Sequence, residues 1–361
     1  MLFIFIVLKY KHKKEEIVKK KIKIIVMIVI IVTSFLFIIN VIPPKKSVDS
    51  NPFIVGNNLP LLAAHRGGKD NAPENTMLAY KTAVYTYKAD IIETDVCLTK
   101  DGYLVFIHNE TLDDTSDVDM IENESYDDGN DNHYIIDYTL NELKSFNFGY
   151  KYKDENNNYP YKDLVSEYAF NSDERKNILD KYDLQIVELS ELFEEFYMSN
   201  PNLKFIIEIK NSGENGLKAA KIMNEILDKY PNYKNNTVIG TYHSEIEEEI
   251  KEYGLLRGAS LKTAAIFVVT QRLGVNLFYN EDFACLQIPR NFGFDITDDL
   301  ELNIWLNKKI YINRAHKRNI AVQYWTINDE AEMRELIELG CDCIMTDNPK
   351  LLREVLDSYK N

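Results

Sequence analysis

From Ile24 to Ile42 the chain runs for 19 residues without a charge, and only Thr33, Ser34 and Asn40 interrupt its apolar character. A helix of that length is about 28 Å long, the thickness of the hydrocarbon core of a bilayer. Ile, Val and Phe dominate the run and favour strand in water, but in lipid only a helix satisfies its own backbone. Eight Lys precede the run, and only Lys45 and Lys46 follow it closely. The positive-inside rule then keeps the short N-terminus in the cytoplasm and puts everything after Pro43 outside. A cleaved signal peptide has a similar basic start. However, this run is longer than a signal's apolar core, and Val41-Ile42-Pro43-Pro44 offers no small-x-small cleavage site. The sequence therefore predicts a single-pass protein of the cell membrane with four parts: basic cytoplasmic residues 1–23, a transmembrane anchor 24–42, a linker 43–58 and an extracytoplasmic body 59–361. Met1 to Leu8 is also apolar but too short to span.

The whole chain has 361 residues and a formal net charge of −15, with 45% hydrophobic residues. The first 46 residues hold ten Lys against Glu15 and Glu16, so the body is more acidic than the total. Such a body lacks the basic stripe that displaces counterions from a duplex, which argues against nucleic acid as a partner. It suits a site that requires a cation. Cys97 and Cys285 stand in apolar, strand-like runs, and Cys341 and Cys343 alternate about Asp342. Cys97 and Cys285 are read as small buried hydrophobes, a lone C-x-C is a poor zinc signal, and none of the four is assigned to chemistry.

Beyond the linker, short apolar runs alternate with amphipathic ones. Strands are predicted at Leu59–Ala64, Asp90–Leu98, Tyr103–His108, Leu203–Lys210, Thr237–Tyr242, Leu255–Leu261, Cys285–Ile288, Ile320–Thr326 and Cys343–Met345. Helices fall at Asn75–Tyr87, Glu188–Met198, Gly216–Tyr230 and Ser244–Tyr253. Residues 113–182, crowded with Asp, Asn, Tyr and Lys, break the rhythm and are read as an insertion made of solvated loop. Calcium-loop spacing is absent from it. Roughly eight strands separated by helices describe a parallel α/β fold, and the count suits a (β/α)8 TIM barrel. Dinucleotide fingerprints, P-loops, G-x-S-x-G elbows and H-E-x-x-H are absent, which removes the commonest other α/β chemistries.

In such a barrel, functional side chains stand at the C-terminal ends of strands. His65-Arg66-Gly67-Gly68 ends the first predicted strand, and His108 ends the third. Glu93 and Asp95 are two apart on one strand, and Glu208 and Lys210 two apart on another, so each pair points to one side. Three converging carboxylates repel one another unless a hard divalent cation sits among them, and Ca2+ or Mg2+ matches oxygen-only ligands. Two His beside a metal then read as an acid/base pair, and Arg66 and Lys210 as contacts for an anion.

The ordered set His65-Arg66-Gly67, Pro73-Glu74-Asn75-Thr76, Glu93-Thr94-Asp95-Val96, Thr99-Lys100-Asp101-Gly102 and His108 resembles the glycerophosphodiester phosphodiesterases. The likeness continues at Glu208-Ile209-Lys210, at Trp325-Thr326-Ile327-Asn328 and at Gly340 to Pro349, and covers roughly residues 59–355 apart from the insertion. It implies a TIM barrel and metal-dependent hydrolysis of a glycerophosphodiester substrate to glycerol phosphate and an alcohol. Residue by residue it implies Glu93, Asp95 and Glu208 as metal ligands, His65 and His108 as the general acid/base pair, and Arg66 and Lys210 as phosphate contacts. Trp325 is read as lining the substrate mouth, its bland alternative being to fill the barrel rim. The chain departs from the family where Asn109 follows the second His, a place usually held by Asp, and where Lys88-Ala89 replaces a usual Gly. An anchored enzyme of this kind also suits lysophospholipid or teichoic-acid substrates. A reading from another class is a silent barrel that binds phosphodiester polymers.

Overall fold

The computed structural model describes residues 2–122, 132–297 and 300–360. They form two compact units: residues 1–45 with 266–281, and residues 46–265 with 282–361. The first unit is built on one helix, Leu2–Val41, long and apolar enough to cross a membrane. The helix is longer than the predicted span and takes in the apolar start as well.

The second unit is a parallel barrel. Its staves are β1 (Leu61–Ala64), β2 (Ile91–Leu98), β4 (Lys204–Ile209), β5 (Thr237–Gly240), β6 (Leu256–Arg257), β7 (Cys285–Ile288), β10 (Ala321–Tyr324) and β11 (Cys343–Thr346). They pair in the order β6-β5-β4-β2-β1-β11-β10-β7, and a parallel bridge between Gly258 and Cys285 joins the two ends. Ala63, Ile91, Ile206, Val238, Leu256, Cys285, Ala321 and Cys343, one from each stave, pack together, so they must face the barrel's interior. Phe53 is fully buried with them, so the predicted linker supplies part of this floor. Neighbouring residues of opposite parity, such as Ile92, Phe205 and Ile207, pack outward on Leu192, Phe193, Ala219 and Met223 of the surrounding helices. Phe193, Phe205 and Tyr233 meet there with ring centroids 4.8 to 5.2 Å apart. Each such pair contributes about 0.5–1.5 kcal/mol beyond its buried area.

Two expectations are corrected. The third predicted strand is not a stave: β3 (Leu104–Phe106) pairs antiparallel with β2, with Val96 opposite Phe106 and Leu98 opposite Leu104. The insertion is more than solvated loop. Val118, Ile135, Tyr138, Leu143, Phe146 and Phe148 are buried in one cluster with Cys97 of β2 and Val105 of β3, and Arg175 pairs with Asp117 within the insertion. A hairpin of β8 (Asn291–Thr297) and β9 (Leu300–Trp305), absent from the predicted strands, forms a separate two-stranded sheet. All four Cys are buried and free, as expected for Cys97 and Cys285.

Candidate active site

The barrel floor fixes which side chains point inward above it. On β2 the interior residue is Ile91, so Glu93 and Asp95 face inward at the next two levels. On β4 it is Ile206, so Glu208 and then Lys210 follow. Asp95 and Glu208 are direct neighbours in the β2–β4 register. Lys210 Nζ lies 3.1 Å from Asp95 Oδ1 and 2.9 Å from Glu208 Oε1. Asp95 Oδ2 is buried without a hydrogen-bond partner among the described residues. Burial, with the Asp95 charge beside it, raises the Glu93 carboxyl to about 7. Burial also lifts Asp95 and Glu208, against the pull of Lys210, whose own ammonium is held protonated by those two charges despite burial.

At the end of β1 the chain turns sharply through Arg66, Gly67 and Gly68 at φ 51°, 80° and 92°. Gly68 leaves no choice of residue there, because a Cβ would lie 2.5 Å from Pro349 Cγ. The turn aims the Arg66 amide at Glu93 Oε2 (3.0 Å) and sets His65 Nε2 3.8 Å from the same oxygen. On its other side, His65 Nδ1 donates to Asp347 Oδ1 at 2.5 Å. Burial works against a charged His65, but that bond and the charges of Glu93 and Asp347 outweigh it and raise its pKa above the usual 6.5. Asp347 is itself held by Asn328 Nδ2 at 2.8 Å, and Asn328 Oδ1 accepts from the Asp347 amide and the Thr346 hydroxyl.

Sequence reasoning gave Asp347 no role. Its signal was parity: Cys343 is an interior residue of β11, and Asp347 lies four residues on, one step past the strand's end.

His108 reaches the site by a different route. The antiparallel return of β3 carries the chain back down, so the Ile107 amide donates to Asp95 O at 3.0 Å and His108 follows at that level. Its Nδ1 lies 2.8 Å from Asn109 Oδ1, and the Asn109 amide in turn donates to Asp114. An amide oxygen only accepts, so His108 carries its proton on Nδ1 and presents a bare Nε2. Burial, together with the Arg66 and Lys210 charges, depresses its pKa to about 4.

The Arg66 guanidinium lies 3.2 Å from Glu74 Oε1, with Nε buried and unpartnered among the described residues. Glu74 thereby braces the arginine, while Thr76 caps the helix Met77–Lys81 by accepting from the Ala79 amide. Trp325 follows β10 and is 38% exposed. A second cluster, Asp113, Asp119 and His133 in the insertion, has ligand atoms within 4.8 Å of one another; Lys151 already lies against Asp119 at 2.9 Å.

The chain is 26% identical over 299 residues to a glycerophosphodiester phosphodiesterase of Caldanaerobacter subterraneus subsp. tengcongensis, covering 81% of this chain and 96% of that protein. It is 23% identical over 319 residues to a lysophospholipase D of Mus musculus, covering 83% and 82%. The crystal structure of a glycerophosphoryl diester phosphodiesterase domain from Mycobacterium tuberculosis shares the fold at a TM-score of 0.62 and 14% identity, covering 82% of this chain and 99% of that one. The sequence profile of the glycerophosphoryl diester phosphodiesterase family matches residues 65–351, from the first site histidine to the helix after β11, and the chain belongs to that family of enzymes.

Proposed function

We propose that this chain is a divalent-metal-dependent phosphodiesterase that cleaves glycerophosphodiesters to glycerol phosphate and an alcohol, with His108 as general base and His65 as general acid. The observation that carries the reading is the inward-facing trio Glu93, Asp95 and Glu208 beside two histidines whose surroundings push their pKa values in opposite directions, His65 upward and His108 downward. The donor set is all carboxylate oxygen, and the buried, unpartnered Asp95 Oδ2 is the kind of atom a hard cation satisfies. Glu93, Asp95 and Glu208 are thus the residues to hold Ca2+ or Mg2+. When bound, such an ion offsets charge on the nonbridging phosphoryl oxygens.

The chain's own residues supply the rest. Lys210 and Arg66 neutralise the phosphate and the charge that builds on it in the transition state. The bare Nε2 of His108 takes the proton from the attacking oxygen as the new P–O bond forms. As the P–O bond to the alcohol breaks, His65 gives its Nε2 proton to the departing oxygen. Positioned proton transfer of this kind contributes about 10²- to 10⁴-fold. Asp347, by holding Nδ1, keeps His65 charged and aims Nε2 at the site. Trp325 stands at the strand end where a substrate headgroup would enter.

The N-terminal helix is proposed as a single-pass anchor with the barrel on the outer face of the membrane. That position favours glycerophosphodiesters released from lipid, and lysophospholipids share the same phosphodiester core. The test uses the full chain in nanodiscs. Release of glycerol phosphate from glycerophosphocholine and glycerophosphoethanolamine that stops with EDTA and returns with Ca2+ or Mg2+ supports the reading. Release unaffected by metal removal overturns the metal assignment, and no release of product from these or from lysophosphatidylcholine overturns the activity.

A further inference from the structure

We propose that residues Ile266–Glu281, in chain order between β6 and β7, form a membrane-inserted tip that enters the outer leaflet beside the N-terminal helix, with Phe278 at depth. The inference rests on the reading of that helix as a membrane anchor.

The segment carries only Arg272 and Glu281 as charged residues. Its Val269, Leu273 and Phe278 side chains are 53%, 63% and 65% exposed, while Phe267 packs on Tyr279 with ring centroids 5.4 Å apart. Apolar side chains on both faces of a helix in water are costly unless something covers them. Two contacts identify the cover. The Phe278 ring stacks on Phe35 with centroids 6.5 Å apart, and Phe35 lies inside the charge-free run. Asn40 donates through Nδ2 to Gly274 O at 2.7 Å. A ring stacked on a residue of the span is covered by whatever covers the span, and for a charge-free run of 19 residues that is lipid.

Depth follows from helical rise. Asn40 and Phe35 stand two and seven residues before Ile42, about 3 and 10 Å below the outer edge of the hydrocarbon. Gly274 therefore sits near the headgroups and Phe278 well within the acyl chains. Gly274 turns the chain at φ 70°, a left-handed conformation that glycine adopts without strain, where the segment meets Asn40. Non-helical backbone at this depth must satisfy itself. The amides of Gly274, Val275 and Phe278 do so on Gln271 O, Thr270 O and Val275 O, at 3.3, 3.0 and 3.2 Å.

The test places a fluorophore at each depth in the full chain: Phe278→Trp and, separately, Phe35→Trp, each reconstituted in phosphatidylcholine nanodiscs with and without mid-chain brominated lipid. Signals are read as differences from the unsubstituted protein. Strong quenching of both variants by brominated lipid is the expected result. If Phe35→Trp is quenched and Phe278→Trp emits as in water, the anchor stands and the inserted tip is overturned. A blue-shifted but unquenched Phe278→Trp signal means that protein, a second copy or another partner, covers the segment, and also overturns it. If neither is quenched, the anchor reading falls and the inference with it.

Discussion

Replacing Asp347 with Asn removes a charge from the back of His65 while keeping size and a hydrogen-bonding group. In the structure the carboxylate accepts from His65 Nδ1 at 2.5 Å, and that bond, with the charges of Glu93 and Asp347, holds the imidazolium against the pull of burial. A hydrogen bond to a charged partner contributes about 1.5–3 kcal/mol, which at 1.36 kcal/mol per unit is about one to two pKa units. His65 must be protonated to act as the acid, so its pKa sets the alkaline limb of the pH–rate profile. Asp347→Asn should move that limb downward by about one to two pH units. At a pH above both the native and the shifted limb, kcat/KM should fall roughly 10- to 150-fold. The acid limb, set by His108 at about 4, should stay where it is. The assay is kcat/KM for glycerophosphocholine across the pH range in which circular dichroism shows both proteins folded. An alkaline limb that does not move, or a loss confined to KM, refutes the reasoning that Asp347 acts through His65.

Three further outcomes follow from the same geometry. Asn109→Asp puts a charge against His108 Nδ1 and should raise its pKa, moving the acid limb upward by about one unit, readable in the same profile. Because Glu93 holds its proton up to about 7 in the metal-free protein, a bound cation must displace it. Calorimetric affinity for Ca2+ or Mg2+ should therefore rise by up to about tenfold per pH unit below 7, with proton release, and level off above it. Gly68→Ala forces a Cβ onto Pro349 at φ 92° and should cost about 2–4 kcal/mol in denaturant unfolding, from overpacking plus left-handed backbone strain.

The barrel and most of its site were legible because the strand repeat of two residues carries information over long distances. Once Ile91 is interior, Glu93 and Asp95 must be, and the same parity applies to Ile206, Glu208 and Lys210. That parity would also have found Asp347 from Cys343. The segment Asp347-Asn348-Pro349 reads instead as the end of a strand and the start of a helix, which Asn348 does cap.

Strand direction was lost at β3, whose apolar run looks like any stave. The connection through Lys100-Asp101-Gly102 is too short for a parallel crossover and fits only a hairpin. The core of the insertion was hidden for another reason. Phe146, Phe148 and Ile135 are scattered among Asp, Asn and Tyr, and meet only through contacts distant in sequence. The β8–β9 hairpin carries apolar residues at period two, Phe292, Phe294 and Ile296 and then Leu300, Leu302 and Ile304, a strand signal that the sequence reading passed over. The Asn109–Asp114 contact depends on a loop path that no local pattern encodes.

The central claim is that Glu93, Asp95 and Glu208 hold a divalent cation needed for phosphodiester cleavage. It is tested most directly by measuring Ca2+ and Mg2+ binding and glycerophosphocholine turnover on the same preparations of the full chain and of Glu93→Gln. The account predicts that this substitution, which keeps an acceptor for the Arg66 amide, loses metal binding and at least about 10²-fold in turnover together. Turnover and metal affinity both unchanged in Glu93→Gln would contradict it.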